Sequence, residues 1–486
     1  MISSKPLSNA FIGLPAGRII IPLLGLAVLG QSAGCGTYRL ENRPLDAGIS
    51  AAAYDVRSLT SEDLHRYLVE NIPHGIPAWP LPAWDFETLS WVAFYYNPNL
   101  EVARAEWEIA RAGAKTAAAR PNPTLSITPG YSSNPGGASP WFPALNLDFL
   151  FETAHKRDLR KEVAQLGAES AREAVFTAAW QVRSELRQAL LDYTLDGQRV
   201  AALQTQVDLQ QHVLTLLQQR LAAGAISASE VSTARLALVR AETAVAEAQR
   251  QAPFARQHIA EVLGVSGSAL SGLQLLAPTP AEPLSIEQLA AARSQSLQTR
   301  ADVLGALARY EASQAGLALE VAKQNPDLHL GPGYQWDQGQ NKWSLALSLE
   351  LPLFNRKEGP IAEAEARRRA AAAQFTALQA RAIAEIDGAA EALSAAQGQI
   401  TSLHRLQDEL QQQQTRLEAR LKAGGADQLE AQTARLELAA AGLALAEARA
   451  QAAVAAGRLE DALQVPFARL AALEKSGATP PSPSSP

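Results

Sequence analysis

The sequence predicts a mostly α-helical chain carrying membrane-length β-strands, written as two tandem repeats. Each repeat is a helix, a β-hairpin and a long antiparallel coiled-coil hairpin. Three observations predict this. Separated sequence blocks recur in the same order roughly 200 residues apart. Short runs alternate apolar and polar residues with a strict period of two. Two long proline-free stretches carry apolar residues at steps of three and four, the spacing of a coiled-coil seam.

Composition narrows the function classes. The chain has 486 residues, 47% hydrophobic, 19% charged and 6% aromatic, with 43 Lys+Arg against 49 Asp+Glu for a formal charge of −6. No basic surplus points to nucleic acid. A single cysteine makes neither a disulfide framework nor a cysteine-rich zinc site. The seven histidines (65, 74, 155, 212, 258, 329, 404) include no pair at i,i+3 or i,i+4, so no helical face presents two imidazoles to a metal. No nucleophile elbow, phosphate loop or acid/base pair is present, and neither an enzyme nor a cofactor is expected.

In chain order, Lys5 and Arg18 precede the apolar run Ile19–Gly30. Twelve residues span about 18 Å as a helix, against roughly 30 Å of bilayer core. That length suits the apolar region of a secretory signal. Small residues Gln31-Ser-Ala-Gly34 lead to Cys35. The arrangement resembles a bacterial lipoprotein signal, with residues 1–34 removed and the covalent lipid on Cys35. Ser32 departs from the leucine usual there, and glycine at 36 replaces the aspartate that resembles an inner-membrane retention signal, so an outer-membrane destination is expected. Residues 35–84, Pro-rich towards Ala83, read as an extended leader.

The repeats follow at 85–263 and 285–466. Asn122-Pro-Thr-Leu-Ser-Ile-Thr-Pro-Gly-Tyr131 aligns with Asn325-Pro-Asp-Leu-His-Leu-Gly-Pro-Gly-Tyr334, and Arg220-Leu-Ala-Ala-Gly224 with Arg420-Leu-Lys-Ala-Gly424. Each repeat opens with a helical stretch (88–119, then 285–323) that an Asn-Pro stops, because proline bars the preceding residue from helical geometry. Strands are expected at about 124–133 and 142–151, then 327–336 and 342–353, with turns at Asn134–Gly137 and Asp337–Gln340. The arms run over about 155–263 and 356–464. Their seams are Val200, Leu203, Val207, Gln210, Leu214, Leu217, Leu221 and Ile400, Leu403, Gln407, Leu410, Gln414, Leu417, Leu421. Each arm reverses at Gly224 or Gly424-Gly425, and Ser227 and Asp427 can cap the return helices at about 228–263 and 428–464. Residues 264–284 link the copies, and the tail (467–486), Ser/Pro-rich from about Lys475, is expected to be disordered.

Strands of nine to eleven residues cross a bilayer only in a closed barrel. Four strands do not close, since the smallest transmembrane barrels have eight. Two chains supply eight strands and three supply twelve, and the larger number leaves an open lumen.

This order of elements, with Ala93-x-x-x-Asn97-Pro98-x-Leu100, the two Asn-Pro-x-Leu strand starts and the two Arg-Leu-x-Ala-Gly tips followed by Thr-Ala-Arg-Leu, resembles the TolC-type outer-membrane factors of bacterial tripartite efflux systems over about residues 85–466. The resemblance implies a homotrimer, with a twelve-stranded barrel in the outer membrane and an α-helical tunnel across the periplasm. It implies a passive exit duct, fed by an inner-membrane RND-type pump through a periplasmic adaptor. Within the family, Phe151-Glu-Thr-Ala-His-Lys-Arg157 resembles the Glu-Thr-Gly-Gly-Lys-Arg segment of the heavy-metal (CzcC-like) branch, with Ala154 and His155 standing where that branch tends to have glycines. The cargo stays open between metal cations and drugs or other small molecules. Alternatives are the outer-membrane component of a type I secretion system, a coiled-coil periplasmic adaptor or an envelope scaffold.

The resemblance places adaptor docking at the tips: Arg220, Leu221 and Gly224, with Arg420, Leu421 and Gly424. A small-residue turn lets a partner approach closely, with leucine and arginine as anchors. Arg416, Arg420 and Asp427 are candidates for inter-helix charge links that close the mouth. Glu230 and Glu430 read as helix-start charges, and His155 and His329 as accommodated histidines rather than metal ligands.

Overall fold

The structure is a computed structural model that describes residues 40–72, 75, 76, 78–133, 136, 139–278 and 285–466. The chain divides into two units between Ala53 and Tyr54. Helix α1 covers Ala47–Asp55. Within the second unit, helix α2 (Glu62–Asn71) begins where Ser61 accepts a hydrogen bond from the Leu64 N–H, with Glu62 and Asp63 in its first turn. Its Leu64 and Leu68 are fully buried against Leu59, Trp84, Leu89, Leu186 and Ile259. The stretch read as an extended leader therefore folds onto the core from Leu59 on, because a capped helix with leucines at i and i+4 has one apolar face to bury.

Helix α3 (Phe86–Tyr96) is capped by Asp85, which accepts from the Thr88 N–H at 2.8 Å. It ends at Asn97, and α4 (Pro98–Ala117) starts at once. The single helix expected over 88–119 is thus two. Asn97 is extended, its side-chain oxygen caps α4 through the Asn99 and Leu100 N–H groups, and Pro98 occupies the first helical position, where a missing N–H costs nothing.

Strands β1 (Thr124–Thr128) and β2 (Ala144–Phe151) lead to α5 (Lys156–Ala222) and its return helix α6 (Ala228–Leu263). The order then repeats: α7 (Ile286–Thr299), α8 (Ala301–Ala322), β3 (Leu328–Asp337), β4 (Gln340–Leu349), α9 (Glu358–Lys422) and α10 (Gln428–Leu463). The stretch expected as one helix over 285–323 again breaks, at Arg300, whose backbone is extended. The break has one purpose in both repeats. Asn97 Nδ2 donates to the Val262 carbonyl at 2.8 Å, and Arg300 Nη1 donates to the Ala462 carbonyl at 2.6 Å. Each break residue satisfies an end carbonyl of its repeat's return helix, groups a helix leaves unpaired.

The arms pack along the expected seams. Leu214 is buried with Val231, Ala234 and Leu238, and Leu203 with Val245 and Ala248. On α10 the facing residues Ala431, Ala434, Ala441 and Ala448 are buried, and alanine lets the helix axes approach closely. That alanine content lifts α10 to a mean hydropathy of 1.2 over 18 residues. The first strand pair is shorter than expected. β1 stops at Thr128, and beyond it a lone bridge joins Tyr131 to Trp141. Of the turn expected at Asn134–Gly137, only Gly136 lies within the described residues. β4 ends at Leu349 rather than Leu353, and the second turn tightens to Gln338-Gly339, both with positive φ.

A buried charge cluster ties the two repeats. Arg183 and Arg187 on α5 face Glu460 and Asp461 on α10, with Arg183–Glu460 at 2.5 Å, Arg187–Asp461 at 2.8 Å and Arg187–Glu460 at 3.0 Å. Arg187 also donates to the Gly457 carbonyl and is 5% exposed. Burial pushes the Asp461 carboxyl up, and the Arg187 charge works against that. Removing one member strands the others in a low-dielectric site. Arg187→Met is expected to lower stability by about 3–5 kcal/mol, read as an earlier loss of helical circular dichroism in a detergent-solubilised denaturation series.

Candidate functional site: the four-stranded sheet and the helical tips

Among the described residues four strands form one antiparallel sheet in the order β1-β2-β3-β4, with β1 and β4 as its open edges. The register separates its faces. Ile127 lies opposite Leu145, Leu145 opposite Tyr334, and Tyr334 opposite Trp343, an apolar row across all four strands. Leu125, Leu147, Phe149, Phe151, Leu345 and Leu347 share that face, and all are exposed. The next row is Ser126, Asn146, Gly333 and Ser344. On this polar side His329 Nδ1 lies 2.9 Å from Asp148 Oδ2. A water-soluble sheet turns its apolar face inward. This one presents it to the surroundings, as a lipid-facing sheet does. Tyr131 pairs with Trp141 and Tyr334 with Trp343, ring centroids 5.0 and 4.9 Å apart. Both pairs sit at the end of the sheet away from the long helices, where an interfacial aromatic girdle belongs.

At the other end, each residue of the Glu152-Thr153…Lys156-Arg157 motif has a partner. The Thr153 N–H donates to Asp327 Oδ1 at 2.9 Å and its hydroxyl to the Pro326 carbonyl at 2.7 Å. Lys156, nearly buried, donates to Asp327 at 2.7 Å and to the Asn325 carbonyl at 2.5 Å. Glu152 pairs with Arg160, while Arg157 and Arg160 donate to the Ala118 and Ala117 carbonyls at the end of α4, where cations suit a helix C-terminus. The motif clamps the foot of β2 to the start of β3. Sequence reading isolated the motif but not its partner, because Asp327 lies in the other repeat.

Ala154 and His155 both take left-handed backbone conformations, with φ of 53° and 57°. These are the two positions where the resembling segment has glycines, and a side chain there is strained. His155 is exposed beside Asp158.

The tips are tight turns after α5 and α9. Gly224 and Gly424 have φ of 73° and 72°, which glycine adopts without a Cβ clash. Leu221 packs beside the Leu214–Val231 cluster. Arg420 donates to the Gly425 carbonyl at 3.1 Å. Asp427 caps α10 through the Leu429 N–H and forms an ion pair with Arg220, joining the two tips across the repeats. Arg416 bonds back to Gln412 in its own helix, so the candidate charge link from Asp427 goes to Arg220 and not to Arg416 or Arg420. Glu230 completes a capping box with Ser227. Cys35 lies outside the described residues. Among the described residues no group of three or more His, Cys, Asp or Glu side chains is placed to hold a metal ion.

The family model for outer membrane efflux proteins matches residues 93–265 and 292–464, most of the chain and once per repeat. The chain belongs to the outer membrane efflux protein family. The cobalt-zinc-cadmium resistance protein CzcC of Cupriavidus metallidurans is 24% identical over 271 residues, covering 54% of this chain and 62% of that protein. The alignment thus spans less than two thirds of that relative's length. The crystal structure of the outer membrane protein VceC from Vibrio cholerae matches with a TM-score of 0.65 at 22% identity, over 79% of this chain and 96% of that one. The open-state MtrE outer membrane channel of Neisseria gonorrhoeae matches at 0.62 and 18% identity, over 78% and 89%. These likenesses bear out the expected mostly helical fold with its small antiparallel sheet, that of outer-membrane channels.

Two outcomes follow from the geometry. Ala154→Gly and His155→Gly relieve left-handed strain of roughly 1–2 kcal/mol against about 0.5–1 kcal/mol of added chain entropy for glycine, so each is expected to raise stability by about 0.5–1 kcal/mol, measured as a higher melting temperature. The hydrogen bond from Arg220 holds the Asp427 carboxyl below its ordinary value of 3.8. A depressed carboxylate pKa makes the link's contribution present above that value and lost as pH falls through the lowered one. Spin labels at Ala225 and Ala426 are therefore expected to keep one distance at pH 7 and 5. Their distribution broadens in strong acid, and at neutral pH in Asp427→Asn. An unchanged distribution in Asp427→Asn contradicts the link.

Proposed function

We propose that the chain is the outer-membrane exit duct of a tripartite RND-type efflux system, and that its cargo is divalent heavy-metal cations. The sheet carries the reading. It has one exposed apolar face, one polar face and two unpaired edges, and four strands cannot close. Three copies give a twelve-stranded barrel whose polar faces, with Ser126, Asn146 and Ser344, line a wet lumen. Arms α5–α6 and α9–α10, about 100 Å long at 1.5 Å per residue, continue that wall into the periplasm. A lipid on Cys35 adds a second anchor.

The tips are the periplasmic mouth. Arg220, Leu221 and Gly224 with Arg420, Leu421 and Gly424 dock the adaptor, and the Arg220–Asp427 pair holds the mouth closed. The ion pair is partly exposed, and its modest strength suits a contact that adaptor binding must open. The metal cargo rests on two supports: the Glu152-Thr153…Lys156-Arg157 motif, and the likeness to a protein named for cobalt, zinc and cadmium resistance. A duct passes its cargo without holding it, so no high-affinity metal site is required.

The test is complementation of a strain lacking this chain. The intact protein is expected to restore growth in zinc, cobalt or cadmium. Gly224→Asp with Gly424→Asp abolishes that rescue while folded protein still reaches the outer membrane, because a charged side chain in a left-handed turn blocks the close approach. Rescue against drugs alone overturns the cargo, and full rescue by the double variant overturns docking at the tips.

A further inference from the structure

The two ends of the sheet carry opposite chemistry. At the end away from the long helices stand Tyr131, Trp141, Tyr334 and Trp343, and the charges of the β3–β4 turn, Asp337 and Lys342, cancel in an ion pair of 2.8 Å. The foot is built from residues 118–123, 152–161, 320–327 and 350–358. These hold no Trp or Tyr, and they set eight Lys or Arg against six Asp or Glu in a chain of formal charge −6. Every strand has a cation at its foot: Arg120 ahead of β1, Lys156 after β2, Lys323 ahead of β3, Arg356 and Lys357 after β4. Arg120 and Lys323 each stand two residues before an Asn-Pro, so both repeats place a charge there with different side chains.

Part of this charge is satisfied within the chain. Lys156 pairs with Asp327, Arg160 with Glu152 and Lys323 with Glu320, while Arg157 donates to the Ala118 carbonyl. Of the remaining carboxylates, Asp158 and Glu358 lie in the first turns of α5 and α9, where they offset the helix dipoles. Among the described residues Arg120, Arg356 and Lys357 form no ion pair within 4.0 Å, and Arg120 and Arg356 are exposed. Phe354, two residues before Arg356, is wholly exposed. The height of the foot follows from β2. Trp141 to Phe151 is ten residues, which at about 3.3 Å each and a tilt near 40° rise about 25 Å, the height of the apolar band of a membrane sheet. With the aromatic pairs at one boundary of that band, the foot stands at the other, level with the headgroups of the leaflet that faces the long helices.

We infer that Arg120, Arg356 and Lys357 form a basic collar that binds the phosphates of acidic phospholipids in the periplasmic leaflet, with Phe354 entering the acyl chains beside them. The inference rests on the lipid-facing sheet proposed above and adds the ligand of its inner boundary. A guanidinium meets a phosphate with two parallel hydrogen bonds, and an exposed cation at a membrane surface attracts anionic headgroups over about a Debye length. Trp and Tyr ordinarily mark both boundaries of a membrane protein. Here the foot has cations where the opposite boundary has aromatic rings, so charge recognition replaces the ring anchor on that side.

The test compares two lipids of different charge. Full-length mature protein is held in detergent with equal amounts of phosphatidylglycerol and phosphatidylethanolamine, then passed through gel filtration, and the retained lipid is counted by mass spectrometry. Native protein is expected to retain phosphatidylglycerol over phosphatidylethanolamine about fivefold or more, fivefold being roughly what one Lys or Arg supplies at an anionic surface. Arg120→Gln with Arg356→Gln and Lys357→Gln brings the ratio near one, with helical circular dichroism unchanged. Lys342→Gln, at the other end of the sheet, leaves the preference intact. Equal retention by the native protein overturns the collar, as does an equal loss in Lys342→Gln. A triple variant that keeps the preference but changes the assembly mass also overturns it, and assigns the cations to a contact between copies. Insertion is read separately, by quenching of tryptophan emission with lipids brominated on their acyl chains. Native protein is expected to be quenched more than Trp343→Phe, and equal quenching overturns the lipid-facing sheet itself, and the collar with it.

Discussion

Every backbone N–H and C=O within a bilayer must find its partner in the protein, because hydrocarbon offers none. In this chain that constraint meets a four-stranded sheet with two bare edges and an apolar face turned outward. The sheet leaves backbone groups along β1 and β4 unpaired within one chain, which is what supports the proposed assembly of several copies. Each pair of long helices starts at the foot of a hairpin.

Duplication supplies the parts for closure with little new information. Asn97 and Arg300 differ in size and charge, yet both stop a helix, begin the next and donate to a return-helix carbonyl, Val262 or Ala462. The requirement lies in the geometry, and two side chains meet it. The repeats then specialise at their feet. The first is clamped by Thr153, Lys156 and Asp327, whereas the second ends in exposed Leu351, Leu353 and Phe354. The joint between β2 and β3 is sealed by charge, whereas the foot of the second hairpin is left apolar.

The repeats, the seams and the return helices were legible because they are periodic: Leu203, Leu214 and Leu417 are buried where the three-four spacing puts them. The helix breaks at Asn97 and Arg300 were harder to read. Asn97-Pro98 is a stop signal that also starts a helix, and Arg300 has only Asp302 beside it in sequence, its other partners Glu385 and Ala462 being gathered by tertiary packing. The Pro-rich leader concealed a capped helix with one buried leucine face. The tip residues were visible as repeated Arg-Leu-x-Ala-Gly turns. Which acid met which base was not, because Arg220 and Asp427 lie in different repeats and meet only once both arms have folded.

Native mass spectrometry of the mature protein released from detergent decides whether one chain supplies a third of a closed wall, as proposed. The expected species is a single assembly of three chains, each carrying a lipid mass on Cys35. A stable, folded monomer or dimer as the dominant species overturns the proposed trimer.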